Sequence, residues 1–286
     1  MRWEGGEQSE NVEDRRGIGA GHVALGGGTV LLLIVGYFLG IDPQQILSNM
    51  PAQTERGSDN GAQVAPGKND RTRQFIATIL GYTEKVWGEQ FQKMGKTYEK
   101  PKLVIFDNQV QTGCGDATAA VGPFYCPADR IVYIDPAFFD ELANKLGGSK
   151  AEFSQAYVIA HEIGHHVQSL TGYGELVDLK RRELSKAEFN RWSVRLELQA
   201  DYLAGVWAHY GQEKFHFIEN GDVDEAIKSA NAIGDDKLQQ RFNGRVSPQN
   251  YTHGTSAQRV KWYRKGFDTG DLSQMKVIFD LPYEQL

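Results

Sequence analysis

A run of 25 residues without Asp, Glu, Lys or Arg, residues 17–41, restricts how this chain folds more than any other feature. Its core, residues 23–41, is rich in Val, Leu, Ile and aromatic side chains. A helix that crosses a membrane needs about 20 consecutive apolar residues, and this run is long enough. The sequence therefore predicts one transmembrane helix over residues 23–41.

A cleavable signal peptide is the alternative interpretation of this run. No Ala-x-Ala site follows it, and residues 42–44, Asp-Pro-Gln, are a poor context for cleavage, so we expect an uncleaved anchor. Arg15 and Arg16 directly precede the run, whereas the first basic residue after it is Arg56. The positive-inside rule then predicts that residues 1–22 form a cytoplasmic tail and that the carboxy-terminal part is exported. In a bacterium with two membranes, the protein would be a single-pass inner-membrane protein with a periplasmic domain.

The rest of the chain divides into a linker and one domain. Residues 42–70 are rich in Pro, Gly, Ser, Asn and Gln, which is typical of a flexible linker. Residues 71–286 are enough for one substantial core. A net charge of −6 gives no indication of nucleic-acid binding. A strand at 102–106 and a hairpin at 123–134, followed by many helices, predict an α+β domain dominated by helix. The predicted helices span residues 71–94, 136–146, 150–170, 186–211, 222–240 and 255–268.

One motif, His161-Glu162-Ile163-Gly164-His165, has the spacing of a zinc site. The preceding residues have helical apolar spacing, so the two histidines lie on one helix face, one turn apart, where they bind a single zinc ion. Glu162 lies about 100° around the same turn, within reach of a zinc-bound water. Two histidines that only pack in the core or face solvent are the alternative.

A second predicted helix carries acidic residues that could complete the zinc site. Catalytic zinc takes three protein ligands and leaves a fourth position for water. Glu197 and Asp201 share one face of an otherwise apolar predicted helix, where two acids are costly to bury without a cation. We therefore predict that Glu197 is the third ligand and that Asp201 accepts the outer ring N–H of a ligand histidine. A solvated acidic face with a salt bridge to Arg195 is the alternative.

With these motifs in place, the chain resembles the gluzincin metallopeptidases, and in particular the bacterial family called "putative neutral zinc metallopeptidase". The resemblance covers nearly the whole chain. It implies a zincin/gluzincin-like fold, a membrane anchor, a Zn²⁺ cofactor and a peptide or protein substrate. Besides the zinc motif, it depends on Arg15-Arg16-Gly17, Cys114-Gly115-Asp116-Ala117, Gly122-Pro123-Phe124-Tyr125-Cys126-Pro127, His166-Val167-Gln168 and Thr252-His253-Gly254-Thr255-Ser256.

The resemblance also suggests roles for two residues near the carboxy terminus. Residues 252–256 are similar to the segment that follows the metal site in the heat-shock and prenyl-protein gluzincins, with Gly254 in place of proline. It implies that His253 stabilises the oxyanion and that Arg259 pairs with Asp201 or with the other carboxylates of the site. A loop that only caps the following helix is the alternative role for this segment.

The predicted reaction is peptide-bond hydrolysis by a zinc-activated water, with Glu162 as general base. Cys114 and Cys126 are predicted to form a disulfide, because an exported domain meets an oxidising compartment. By analogy with gluzincins, the strand at 130–134 is expected to be the edge strand that pairs with extended substrate. The alternatives are a catalytically silent, membrane-tethered binding or assembly factor with a structural zinc, and a zinc hydrolase that acts on cell-wall amides.

Overall fold

The computed structural model describes residues 1–17, 70–118 and 121–286. The predicted membrane span, 23–41, lies outside the described residues, as does the predicted linker except for Asp70. Among the helices that are described, none is both long enough and apolar enough to cross a membrane.

The described chain is mostly helical, with one four-stranded and one two-stranded sheet, in agreement with the predicted α+β class. A π-helical turn, Leu142–Leu146, follows the short helix Ala137–Glu141. Three 3-10 turns of the described chain span Pro248–Asn250, Leu272–Met275 and Tyr283–Gln285. The elements are β1 (Val12–Asp14), α1 (Arg71–Lys93), β2 (Lys102–Ile105), β3 (Gln109–Thr112), β4 (Gly115–Thr118), β5 (Phe124–Cys126), β6 (Ile131–Ile134), α2 (Ala137–Glu141), α3 (Glu152–Thr171), α4 (Tyr173–Glu183), α5 (Lys186–Phe215), α6 (Asp222–Ala232), α7 (Asp235–Asn243), α8 (Ser256–Thr269) and α9 (Val277–Asp280).

The four-stranded sheet has the order β1-β2-β6-β5. The first three strands are parallel, and β5 is antiparallel to β6 with Tyr125 opposite Val132, so the predicted hairpin is present. The prediction that residues 130–134 form the edge strand is wrong. Strand β6 lies inside the sheet because β5 pairs along its outer side, which makes β5 the edge.

The first 17 residues are part of the sheet and of the core. Strand β1 pairs with β2 in parallel, with Glu13 opposite Val104, and Trp3 is only 4% exposed. Residues 1–22 were predicted to be a separate tail, with the domain beginning at residue 71, but residues 1–17 belong to the folded domain. A strand of three residues, Val-Glu-Asp, has too few positions to show the alternating pattern that predicts a strand.

The predicted helices are present, but one of them is divided, and α4 and the four-residue helix α9 were not predicted. The helix predicted over 222–240 is two helices, α6 and α7, which are separated at Gly234; a Cβ there would lie 2.3 Å from the backbone N of Ser256. Helix α4 was not predicted, because it is polar and buries only Val177, which leaves no apolar stripe to detect.

Helices α5 and α8 cross closely in the core at two glycines. A Cβ at Gly205 would lie 2.2 Å from the carbonyl oxygen of Tyr263, and one at Gly266 would lie 2.0 Å from the carbonyl oxygen of Tyr202. Only glycine lets the two backbones approach to this distance. The crossing holds α8 against α5, and both helices carry predicted site residues.

We predict that Gly205→Ala and Gly266→Ala each destabilise the fold by more than about 2 kcal/mol, because each methyl group must push two backbones apart. The control is Gly88→Ala on α1, where a Cβ meets no atom within 4 Å. Alanine is the better helix former, so this change is expected to be neutral or to stabilise by about 0.5–1 kcal/mol. Urea titrations of the three variants give their free energies of unfolding. Equal stability of Gly205→Ala and Gly88→Ala would contradict the close crossing.

Candidate metal centre

The three predicted metal ligands come together where α3 packs on α5. His161 and His165 lie on one face of α3, with ring centroids 4.9 Å apart. Glu197 faces them from α5: its Oε2 lies 3.2 Å from Nε2 of His161, and its Oε1 lies 3.4 Å from Nε2 of His165. One ligand atom from each residue lies within 4.8 Å of the other two. The geometry therefore places two nitrogen donors and one carboxylate around a single point.

Gly164, inside the motif, sets how closely the two helices approach. A Cβ at this position would lie 3.0 Å from the carbonyl oxygen of Ala200 on α5. The absence of a side chain lets the backbone of α5 lie against α3, and this contact brings Glu197 within reach of both histidines.

The donor set fits zinc in type and in spacing. Zinc is commonly bound by imidazole nitrogen and carboxylate oxygen at about 2.0–2.2 Å, in a tetrahedron whose neighbouring ligand atoms are about 3.3–3.6 Å apart. The two nitrogen–oxygen distances given above, 3.2 and 3.4 Å, are close to this spacing. A structural zinc site takes four protein ligands, whereas this group has three, as a catalytic site does.

A buried ion-pair network fixes the ring of His161. Asp201, which is fully buried, accepts hydrogen bonds at its Oδ1 from Nδ1 of His161 at 2.8 Å and from the hydroxyl of Tyr157 at 2.6 Å. Arg259 from α8 donates to both oxygens, from Nε to Oδ2 at 2.8 Å and from Nη2 to Oδ1 at 3.0 Å. A carboxylate accepts only, so Nδ1 of His161 carries a hydrogen, and Nε2 is the ring atom that would offer its lone pair to a metal ion. Tyr157, one turn before His161, was missed by the sequence analysis; this spacing was its only signal.

The ring of His165 is fixed in the same way by a neutral group. Oε1 of Gln168 lies 2.8 Å from Nδ1 of His165, and Nε2 of Gln168 donates to the carbonyl oxygen of Leu196 at 2.6 Å. This contact orients the imidazole and also ties α3 to α5. Gln168 lies three residues after His165 on the helix, and the sequence analysis gave it no role.

The acidic-face alternative for Glu197 is not what the structure shows. Arg195 turns away from it and donates to the carbonyl oxygens of Ile278 and Leu281 near the carboxy terminus. Only 16% of the Glu197 side chain is exposed. Its partners among the described residues are therefore the two histidines and not a solvated cation.

The charges of the metal-free site are strongly coupled. Burial alone would lower the pKa of His161, but Asp201 and Glu197 raise it to about 10. Burial would raise the pKa of Glu197, but His165 and His161 hold it well below its usual range. Burial would also raise the pKa of Asp201, which Arg259 and His161 lower to about 2. Without a metal, protons on the histidines balance the two buried carboxylates.

Glu162 faces a cavity of about 730 Å³ that also contains the three ligand side chains. Glu162 is 8% exposed, and burial raises the pKa of its carboxyl group. A raised pKa brings a carboxylate closer to the range in which it exchanges protons near neutral pH. Residues 121–125, which include the start of β5, form one wall of the cavity, and α4 contributes to another.

The predicted disulfide is present and braces this wall. Cys126 is the last residue of β5 and is buried, and its sulfur is bonded to Cys114 in the turn between β3 and β4. The edge strand beside the cavity is therefore covalently tied to the two-stranded sheet.

His253 lines the same cavity, in a loop that a buried carboxylate holds in place. Oδ2 of Asp235 accepts three consecutive backbone N–H groups, those of Thr252, His253 and Gly254, at 2.7–3.0 Å. Oδ1 of the same carboxylate lies 3.4 Å from Nδ1 of His253. Thr255, not His253, caps α8, through a capping box. The loop therefore caps the helix and also presents His253 to the cavity. Asp235 was not singled out from the sequence.

The comparisons with known proteins agree with this geometry. The family model described as "Putative neutral zinc metallopeptidase" matches residues 1–278. The chain is 46% identical over 286 residues to "Uncharacterized protein YpfJ" of Escherichia coli K12, which covers 96% of this chain and 97% of that protein. It is 38% identical over 249 residues to "Uncharacterized protein Rv2575" of Mycobacterium tuberculosis H37Rv, 82% of this chain and 81% of that protein. No solved structure matches.

We predict that the purified protein contains about one zinc per chain, and that Glu197→Ala loses it along with His161→Ala and His165→Ala. Each change removes one of three donors around a single point. The matched control is Glu213→Ala, which removes a 64% exposed acid of the same helix, α5. Metal analysis after gel filtration gives the result. Zinc that is bound as tightly by Glu197→Ala as by the parent would exclude Glu197 as a ligand.

We also predict that zinc affinity falls as the pH is lowered. In the metal-free protein His161 holds a proton below its pKa of about 10, and the pKa of His165 is also raised because attraction to Glu197 outweighs burial. Zinc binding needs the lone pairs of both histidines, so it displaces about one to two protons. For each proton displaced, the apparent Kd rises about tenfold for every unit by which the pH is lowered. Competition with a chelator of known pH dependence, between about pH 6 and pH 8, measures the slope. A pH-independent Kd would contradict this charge assignment.

Proposed function

The chain belongs to the family described as "Putative neutral zinc metallopeptidase", and we propose that it hydrolyses peptide bonds at the site formed by α3 and α5. His161, His165 and Glu197 would hold the zinc ion, and Glu162 would be the general base. The observation that carries this proposal is the position of Glu162. It adjoins His161 on α3 and shares one open cavity with the three donor side chains.

The division of labour follows from what each side chain can do. Bound zinc would polarise the scissile carbonyl group and lower the pKa of a water molecule to about 7. Glu162 accepts a proton from water and returns it to the leaving amine, a task that its raised pKa favours. Asp201 keeps His161 in the tautomer that presents Nε2, with Arg259 and Tyr157 as its further partners.

A donor for the developing oxyanion is supplied by His253 in this proposal. The three backbone N–H groups bound to Asp235 fix the course of residues 252–254, so His253 is held at the cavity wall before substrate arrives. A donor positioned in advance stabilises the transition state without reorganisation. Asp235 is then a positioning residue that acts through His253.

An extended peptide would bind along β5. This strand is at the sheet edge and adjoins the cavity, so an added strand would run beside the metal-binding side chains. The proposal moves the substrate-pairing role from residues 130–134 to residues 124–126, because β6 is already paired on both sides.

We further propose that residues 23–41 attach the enzyme to a membrane. The support is the length and apolar composition of this run in the sequence. The arrangement predicted from the sequence is a single-pass anchor with an exported, periplasmic domain.

A catalytically silent binding or assembly factor with a structural zinc is the second candidate. Three donors beside a large open cavity favour catalysis over this alternative, because a structural zinc is normally enclosed by four ligands. The two functions differ in what Glu162 contributes.

We predict that Glu162→Gln keeps its zinc and loses about 100- to 10,000-fold in kcat, because the amide has the shape of the acid but accepts no proton. Products from a peptide library, identified by mass spectrometry, give the cleavage sites, and a peptide that is cleaved gives the rate. The control is Glu183→Gln, which changes an exposed acid at the end of α4. Cleavage that persists unchanged in Glu162→Gln would refute the general-base role. A parent that binds zinc and cleaves no peptide would favour the silent factor.

A further inference from the structure

The amino-terminal segment, residues 1–17, is built into the domain over its whole length. Trp3 packs edge-on against Phe75 of α1 at 5.3 Å between ring centroids, and the backbone N–H of Ser9 donates to the carbonyl oxygen of Ala77 on the same helix. Farther along, Val12 is buried within β1. The segment thus crosses α1 and then joins the sheet beside β2.

Two features of α1 are accounted for by contacts with this segment. Gly81 lies in the middle of the helix, where glycine costs about 1 kcal/mol relative to alanine; a Cβ there would lie 2.6 Å from the carbonyl oxygen of Glu7. Glu84 is 7% exposed, and its Oε1 accepts hydrogen bonds from the hydroxyl of Ser9 at 2.6 Å and from Nδ2 of Asn11 at 2.7 Å. Without residues 1–17, the close contact that accounts for glycine at position 81 would be absent, and Glu84 would lose two hydrogen-bond donors.

The two ends of the stretch that connects this segment to α1 lie side by side. Arg16 donates to Asp14 at 2.6 Å and to Asp70 at 2.7 Å, and Asp70 is the N-cap of α1. Arg15 pairs with Glu13 at 2.8 Å. These ion pairs give both arginines a structural role, so their place before the apolar run is not by itself an orientation signal.

This arrangement restricts membrane topology. A chain that crosses a bilayer once between Gly17 and Asp70 puts residues 1–17 and the domain on opposite sides, where they cannot pair. A chain whose two ends lie on the same side of a bilayer crosses it an even number of times or not at all. The sequence offers a single apolar run in this interval, because residues 42–69 carry Glu55, Arg56 and Asp59.

We propose that residues 1–17 and 70–286 lie on the same side of the membrane, docked as one folded unit. This replaces the single-pass orientation in which residues 1–22 and the domain are separated. The proposal depends on the docking of residues 1–17 and is independent of whether the site hydrolyses peptides.

Side-specific labelling of the full chain tests the topology. Glu10→Cys and Lys228→Cys each place a thiol at an exposed position, one in the amino-terminal segment and one on α6. The parent, whose two cysteines are joined, gives the background. A membrane-impermeant maleimide is applied to spheroplasts and to inverted vesicles, with detergent-opened samples as the full-labelling reference. Both thiols are expected to react from the same side. Reaction of the two thiols from opposite sides would overturn the proposal.

Cross-linking in the same membranes tests the docking. Glu7→Cys and Lys85→Cys replace a pair whose charged atoms are 2.5 Å apart, and a protease site inserted within residues 57–61 lets the chain be cut afterwards. A short bifunctional maleimide is expected to keep the two fragments joined. Gly81→Ala, which pushes against Glu7, is expected to lose this cross-link, and Gly88→Ala on the same helix is expected to keep it. Fragments that separate in the parent background would show that the segment is not docked and would overturn the proposal.

Discussion

The fully buried carboxylate of Asp201 sets the conditions that the surrounding helices must meet. An ionised acid in a protein interior is stable only when cations and hydrogen-bond donors surround it. The donors here come from two other helices: His161 and Tyr157 from α3 and Arg259 from α8. Three helices must therefore meet within hydrogen-bond distance of one carboxylate. Glycines at the helix crossings let the helix backbones approach closely enough for these hydrogen bonds to form.

This network also fixes the orientation of the side chains around the candidate metal site. His161 cannot turn, because Nδ1 is held by Asp201, and Gln168 holds Nδ1 of His165 in the same way. Glu197 lies one turn before Asp201 on α5, so the helix that satisfies Asp201 also delivers the third donor. Two carboxylates and one guanidinium leave the site short of positive charge, which protons on the histidines supply in the metal-free protein. A divalent cation would replace those protons at the same place, and this is why the residues that stabilise the fold also prepare the site.

The three candidate metal ligands could be brought together from the sequence because the necessary information is local. A four-residue spacing on a helix fixes the relative position of His161 and His165, and the cost of burying Glu197 on an apolar helix pointed to a cation. Of the partners that were missed, Tyr157 and Gln168 lie at helical spacings from the two histidines, whereas Asp235 makes contacts that sequence spacing does not encode. Asp235 reaches the loop of His253 through backbone N–H groups, which have no residue signature. The hairpin of β5 and β6 was predicted, but the edge position given to β6 came from the analogy with gluzincins, and the pairing of β6 with both β2 and β5 excludes it.

The two edges of the four-stranded sheet are treated differently, and this difference connects the amino terminus to the site. An open edge is a template for further strands, and short strands with charged residues protect it. Strand β1 provides such protection for β2, since it is three residues long and carries Glu13 and Asp14. The other edge, β5, adjoins the cavity and is braced by the disulfide through Cys126. With β1 on one side, an added peptide strand would be directed to β5, beside the three side chains of the candidate metal site. The docked amino-terminal segment therefore completes the sheet along which the proposed peptide substrate would bind.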